Sequence, residues 1–279
     1  MGIVIGIDVG GSTTKIVGFR IEGDKRELIP PQFVKANDPI TAIYGAFGKF
    51  TDENGIRIQD IDKVLMTGVG SSYVKHDLYG INCVRVPEFD CIGKGGLFLS
   101  GLENAVVVSM GTGTAIVHAE KGVAMRYLGG TGVGGGTLMG LSRLLVGAGD
   151  IGHISEFVES GDLGNVDLRI KDMTASGAVP VMNADMTAAN FGNVSDVATK
   201  SDIAKGISNL VYETVGMVSV FASRSVGVKD IVLTGNLTRL PSCIKKFEEF
   251  NHLGYGVRFV VPELSEFSTA IGCAISALD

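Results

Sequence analysis

The stretch Gly6-Ile7-Asp8-Val9-Gly10-Gly11-Ser12-Thr13-Thr14-Lys15 decides how this chain is read. The apolar run 3–7 predicts a buried strand, and the run 16–19 predicts a second. Between them stand an aspartate, paired glycines, three hydroxyls and a lysine. Glycines at a strand-to-strand turn let the backbone come close to a ligand, and their N–H groups can face an anion. Asp8, at the strand's end, is a hard oxygen donor of the kind Mg²⁺ takes while keeping most of its waters. Gly10, Gly11, Ser12, Thr13, Thr14 and Lys15 together form a grip for a polyphosphate. An ordinary glycine hairpin is the plainer alternative. A Walker loop and a dinucleotide fingerprint are both excluded, because each needs a helix directly after its glycines.

The pattern returns a hundred residues later. A strand over 105–109 leads to Gly111-Thr112-Gly113-Thr114, a returning strand over 115–118 and a third over 123–128. In the first copy the third strand falls near 28–35. Two copies imply two related lobes facing each other, and alternating strands and helices predict a layered α/β fold. The lobes are expected at 1–102 and 103–266, the second with a loop-rich insertion at about 160–195. A small-residue helix over 267–279 is expected to pack back towards the first lobe. Paired turns on facing lobes suit a triphosphate and phosphoryl transfer, where positioning and charge neutralisation carry the catalysis. Gly134-Gly135-Gly136 opens a third element, a helix with Leu138, Met139, Leu141, Leu144 and Leu145 on its apolar side. Helix N-termini bind anions, and the glycines leave a flat surface for a base or phosphate; a flexible linker is the alternative.

Single residues add chemistry. Glu88, in Pro87-Glu88-Phe89-Asp90 after a strand over 83–86, can take a proton from a substrate hydroxyl. It can equally be a carboxylate that merely favours a helix dipole, and Asp90 is its weaker rival as base. Arg126, on the strand before Gly129-Gly130, can fork onto a carboxylate or stay a solvated edge charge. Asp185, Asn190 and Asn236 sit at turns, where capping is the commoner role; Asn236, after a strand and a glycine, is the best placed for a nucleotide. A helix over 201–226 carries the stripe Ile203, Ile207, Leu210, Val211, Val215 and Val218, widened by Met217, Val220 and Phe221. That width fits burial between layers or a dimer contact.

Bulk properties narrow the classes. The chain has 279 residues, net charge −6 and 40 glycines, so there is no basic face for nucleic acid. Cys83, Cys91, Cys243 and Cys273 show no CxxC spacing, and the histidines show no HxxxH, so structural thiols in a reducing cytosol are expected and zinc is not. Neither a signal peptide nor a membrane-spanning run is read from the sequence; a cytoplasmic protein is expected.

These residues resemble the phosphate-binding turns of the superfamily of acetate kinase, sugar kinases, heat-shock chaperone ATPases and actin. Within it the chain is most similar to the type II pantothenate kinases. The resemblance runs through Asp8–Lys15, Pro87-Glu88-Phe89-Asp90, 111–114, 129–140, Gly161-Asp162 with Val166-Asp167-Leu168, residues 185–192 and Gly235-Asn236. It implies an actin-like (ribonuclease H-like) α/β fold with the active site in the cleft between the lobes. It implies Glu88 as general base on pantothenate and Asp8 as Mg²⁺ holder. Residues 10–15 and Gly111, Thr112 and Gly113 would grip the phosphates of ATP, with Thr112 also near pantothenate. Gly135, Gly136, Thr137, Leu138, Met139 and Asn236 would line the nucleotide site. A homodimer is implied too, with pantetheine as a further acceptor. Such kinases carry an arginine two residues before the paired glycines; here that position is Tyr127 and the arginine is Arg126. Either the strand is shifted or another group meets the carboxylate. Activator ATPases of 2-hydroxyacyl-CoA dehydratases open with a similar phrase but need cluster-binding cysteines. Sugar kinases lack the block at 187–192.

Overall fold

The computed structural model describes residues 2–11, 13–35, 38–74, 77–173 and 183–278, and in it the chain builds one kind of five-stranded sheet twice. The first half runs β1 (Gly2–Val9), β2 (Thr14–Glu22), β3 (Lys25–Val34), α1 (Pro39–Glu53), β4 (Ile61–Thr67), β5 (Cys83–Arg85) and α2 (Glu88–Ser100). The second opens with β6 (Asn104–Met110), β7 (Thr114–Glu120), β8 (Arg126–Thr131), α3 (Gly135–Leu145) and α4 (Ile151–Ser160). It continues with the short strands β9 (Leu168–Arg169) and β10 (Thr187–Ala189), then α5 (Lys200–Val226), β11 (Asp230–Thr234), α6 (Pro241–Asn251), β12 (Arg258–Val260) and α7 (Ser268–Ile275). The spatial orders are β3-β2-β1-β4-β5 and β8-β7-β6-β11-β12, the same arrangement strand for strand. In each, three antiparallel strands are extended by two parallel ones.

β1 is buried along its whole length, as expected of a central strand covered on both faces. Ile3, Ile5, Ile7 and Val9 meet Ile43, Phe47 and Phe50 of α1. Val4, with Val17, Phe19 and Leu65 of the neighbouring strands, meets α7 on the other face. Asp38 caps α1 by accepting the Thr41 N–H, and Pro39 opens the helix. In the second sheet one face packs on α3 to α6. The other, through Val107, Val117 and Val232, packs on Ile92 and Leu97 of α2. The two central helices are therefore exchanged: α2 follows the first sheet but covers the second, and α7 does the reverse. A Cβ on Gly95 would strike the Ser268 carbonyl, and one on Gly272 the Cys91 carbonyl, so these helices cross with their backbones touching. Each fully buried large apolar side chain contributes roughly 1.5–3 kcal/mol, so the sheets are joined through a genuine core.

Some expected elements shift. The third strand of the second copy is Arg126–Thr131, not 123–128: a turn with Gly122 at φ 77° carries the chain past Val123, and the strand runs through Gly129-Gly130 instead of ending before it. Helix α4, capped by Asp150 through the Gly152 and His153 N–H groups, was not anticipated. Leu144 and Leu145, placed on the apolar side of α3, are 79% and 57% exposed. The expected insertion contains β9 and β10 tied to α5: Asp167 accepts from the Phe191 N–H and Asn209, and Glu213 accepts from Thr187, Asn190 and Lys246. Among the described residues no helix is long and apolar enough to cross a membrane.

Candidate active site

A cavity of about 460 Å³ opens where the ends of both central strands meet the first turns of α2 and α7. From the first half it takes Asp8, Gly10, Gly11, Thr13, Lys15, Val69 and Glu88; from the second, Ser109, the 111–115 turn, Thr131, Gly235, Asn236 and Thr269. The side chains arrive there by strand alternation. On β1 the odd residues face α1, so Asp8 faces the cleft side. Lys15 is its direct partner on β2 and shares that face.

The electrostatics are set by burial. Asp8 and Lys15 are only 8% and 7% exposed. Burial pushes the Asp8 carboxyl up, and Lys15 opposes it; burial pulls the Lys15 ammonium down, opposed by Asp8 and Glu266. Burial also raises the Glu88 carboxyl, and the Asp8 charge raises it further. A carboxyl with raised pKa binds a proton more readily, as a general base requires. Glu88 is the first residue of α2, so both readings of it hold: it sits at a helix N-terminus and it lines the cavity.

The two hairpins approach each other. A Cβ on Gly11 would lie 3.6 Å from the Thr112 hydroxyl. Asn236 donates to the Thr13 hydroxyl at 3.4 Å, tying the second half to the first turn across the cleft. Gly10 donates its N–H to the Thr13 carbonyl at 3.0 Å, closing the turn. Thr14, one step along β2, is buried and lies outside the cavity lining. Ser12 lies outside the described residues.

Residues 135–139 require correction. The Gly135 and Gly136 N–H groups are not open to an anion: they donate to the Gly111 and Thr112 carbonyls at 2.9 and 2.8 Å. A Cβ on either glycine would come within 2.8 or 3.0 Å of those oxygens. The glycines therefore dock α3 onto the second hairpin. The Thr137 hydroxyl donates to the Gly132 carbonyl and accepts from the Gly134 N–H, as a cap. Leu138 is fully buried in the core, its N–H bonded to Gly134, and Met139 packs on that same core. The helix ends that open on the cavity belong to α2 and α7, through Glu88 and Thr269.

Arg126 is corrected as well. Tyr127 pairs with Val117, whose side chain packs on α2, and its ring stacks on Phe89 at 4.1 Å and 12°. Arg126, the adjacent strand residue, occupies the opposite face, away from Glu88. Asp185 pairs with Lys171 and Asn190 with Glu213, both apart from the cavity.

Sequence reasoning missed Ser109, Thr114, Ala115, Thr131, Val69 and Thr269 as cavity-lining residues. One signal was in view. Thr67-Gly68 and Thr234-Gly235 end equivalent strands, with both glycines at positive φ, 83° and 94°. Each glycine leaves space for the carbonyl that ends the central strand beside it, Val9 or Met110. The residues that follow, Val69 and Asn236, both face the cavity.

As to a cation, among the described residues no group of three or more His, Cys, Asp or Glu side chains could hold one unaided. Asp8 with a nearby buried hydroxyl of Thr67, which has no partner among the described residues, fits a hard cation that keeps waters and takes further oxygens from phosphate.

Comparison with known proteins gives three findings. The Fumble family model matches residues 4–259. The type II pantothenate kinases of Staphylococcus aureus strains USA300 and bovine RF122 / ET3-1 are 27% and 26% identical over 278 residues, covering 96% of this chain and 97% of theirs. Among solved structures, the activator of the 2-hydroxyisocaproyl-CoA dehydratase from Clostridium difficile with bound ADPNP has a TM-score of 0.70 at 17% identity, covering 99% of this chain and 94% of its own. The Acidaminococcus fermentans (R)-2-hydroxyglutaryl-CoA dehydratase component A has 0.66 at 18%, covering 99% and 97%. At such identities these two structures speak to the fold, which is theirs.

Proposed function

This chain is a member of the Fumble family, and from that premise we propose that it transfers the terminal phosphoryl group of ATP to the primary hydroxyl of pantothenate. The observation that carries the reading is that one cavity joins the Asp8–Lys15 pair, both glycine turns and the Glu88 carboxylate. In this reading the turns at 10–13 and 111–113 clasp the phosphates from opposite sides. Glu88 accepts the hydroxyl proton as the alcohol oxygen bonds to the γ-phosphorus and the bond to the bridging oxygen breaks, releasing ADP. Asp8 would hold Mg²⁺ through water, and the ion when bound neutralises charge building on the phosphates. Lys15 lies on the same face, where its amine can meet a phosphate oxygen. A homodimer paired through α5 fits the 59% exposure of Phe221 on that helix.

The test is a coupled ADP-release assay with pantothenate, pantetheine and a panel of sugars, on wild type and Glu88→Ala. The expected result is turnover of the pantoyl acceptors and a loss of about 10²–10⁴-fold in kcat without the carboxylate. Turnover of sugars only, or full activity in Glu88→Ala, rejects the reading.

A further inference from the structure

Three helices begin at or beside the cavity, and they differ in what meets their positive ends. The first N–H groups of α3 donate to the Gly111 and Thr112 carbonyls. α2 carries carboxylates in its first turn, Glu88 and Asp90, which answer its dipole. α7 has no acidic residue in its first turn, and no side chain caps it. Such an end presents a partial positive charge and suits an anion. Glu266, on the turn before α7, acts on Lys15 and is not part of the cavity lining.

Thr269, the second residue of α7, lines the cavity while only 7% exposed. Its hydroxyl has no hydrogen-bond partner among the described residues. Three other threonines of the lining are engaged: Thr114 donates to the Val133 carbonyl, Thr131 accepts from the Val133 N–H, and Thr13 accepts from Asn236. The Ser268 hydroxyl is sealed without a partner where α7 meets Gly95 of α2. A hydroxyl held in a cavity wall with nothing to bond is a cost unless a ligand meets it.

The placement favours the nucleotide side. Ser268 meets Gly95 and Gly272 meets Cys91, so α7 runs past α2 in the opposite sense and begins away from Glu88. Ser265, just ahead of α7, accepts from the Gly235 N–H, and its hydroxyl bonds that of Thr238. Both lie next to the Asn236 contact with Thr13. A Cβ on Gly6 would strike the Ala270 carbonyl, so the helix is fixed on β1 just short of Asp8. We propose that the start of α7, through Thr269, is a third phosphate-binding element, holding the phosphate chain of the bound nucleotide beside the two glycine turns. This rests on the nucleotide half of the kinase reading and is independent of the acceptor.

Isothermal titration with ATP, ADP and adenosine tests it, on wild type, Thr269→Ser, Thr269→Val and Thr269→Asp. Thr269→Val should weaken ATP and ADP by about tenfold or more, the scale of a hydrogen bond to a charged group, and leave adenosine unchanged. Thr269→Ser, which keeps the hydroxyl, should bind near the wild-type level. Thr269→Asp gives α7 the first-turn carboxylate that α2 has; it should weaken ATP more than ADP, and both more than Thr269→Val does. ADP bound equally by Thr269→Val and wild type overturns the proposal. So does a loss as large for adenosine, which marks a packing defect. If the variants do not fold, a wild-type crystal with a non-hydrolysable ATP analogue decides. Thr269 Oγ1 should lie within about 3.2 Å of a phosphate oxygen, and a phosphate chain out of its reach overturns the proposal. Transfer to pantothenate is read separately by the ADP-release assay; a chain that binds no nucleotide overturns both.

Discussion

The two glycine hairpins occupy equivalent places in equivalent sheets, yet they carry different chemistry. Asp8 and Lys15 face each other at the end of the first; the residues in the same ladder position of the second are Ser109 and Ala115. All four line the cavity. One hairpin therefore brings a buried Asp–Lys pair to the cavity, and the other a serine and an alanine. The second hairpin is braced from behind, its Gly111 and Thr112 carbonyls taken by the first N–H groups of α3. The repeat sets the position of a contact, while the side chains that diverged between copies decide its charge.

Breaking that asymmetry should be most costly on the charged side. Asp8→Asn keeps the shape and removes the anion; kcat/KM for ATP turnover should fall roughly 10²–10³-fold, the scale seen for loss of a fixed electrostatic group. The reciprocal Ser109→Asp should not restore it, because Lys15 is on the other lobe. Equal losses for Asp8→Asn and Ser109→Ala would end the comparison.

The brace comes next. Gly136→Val places a branched side chain where a Cβ alone would be 3.0 Å from the Thr112 carbonyl. It should cost about 2–3 kcal/mol in thermal or urea unfolding and raise the KM for ATP, whereas Gly48→Ala, in α1 with open space around its Cα, should stabilise slightly, by up to about 1 kcal/mol.

The pH profile sharpens the comparison further. Burial and the Asp8 charge raise the Glu88 carboxyl, and the ionised form is the base. The acidic limb of kcat/KM should therefore lie above the ordinary glutamate range. Asp8→Asn should move that limb to lower pH, since a repelling charge is gone; a limb that stays put would separate Glu88 from Asp8. The smallest effect is expected at Ser109→Ala, less than about threefold in kcat/KM, because a neutral hydroxyl contributes little beside a charge.

Much of this was legible from sequence, for identifiable reasons. The doubled strand–turn–strand pattern worked because a central strand buried on both faces is apolar without interruption, so Asp8 stands out at its end. Glu88, picked out as a carboxylate between a short strand and a helix, lines the cavity. The failures share a cause. Residues 135–139 read as a phosphate-binding helix start because glycines before an apolar helix suggest open N–H groups. Whether those groups are free depends on the Gly111–Thr112 carbonyls of an earlier hairpin, which local sequence does not reveal. The face of Arg126 was left open by the sequence, because the register of β8 against β7, with Tyr127 opposite Val117, is set by pairing that local sequence does not reveal. That α2 covers the second sheet is a tertiary choice, hinted at only by the small residues Gly95 and Gly96.

A crystal structure with a non-hydrolysable ATP analogue reads directly where the triphosphate lies. The phosphate chain should run between Gly10–Thr13 and Gly111–Gly113, with its terminal group facing the Glu88 carboxylate across room for one hydroxyl. A nucleotide bound outside this cleft, or one whose terminal phosphate points away from α2, would contradict it.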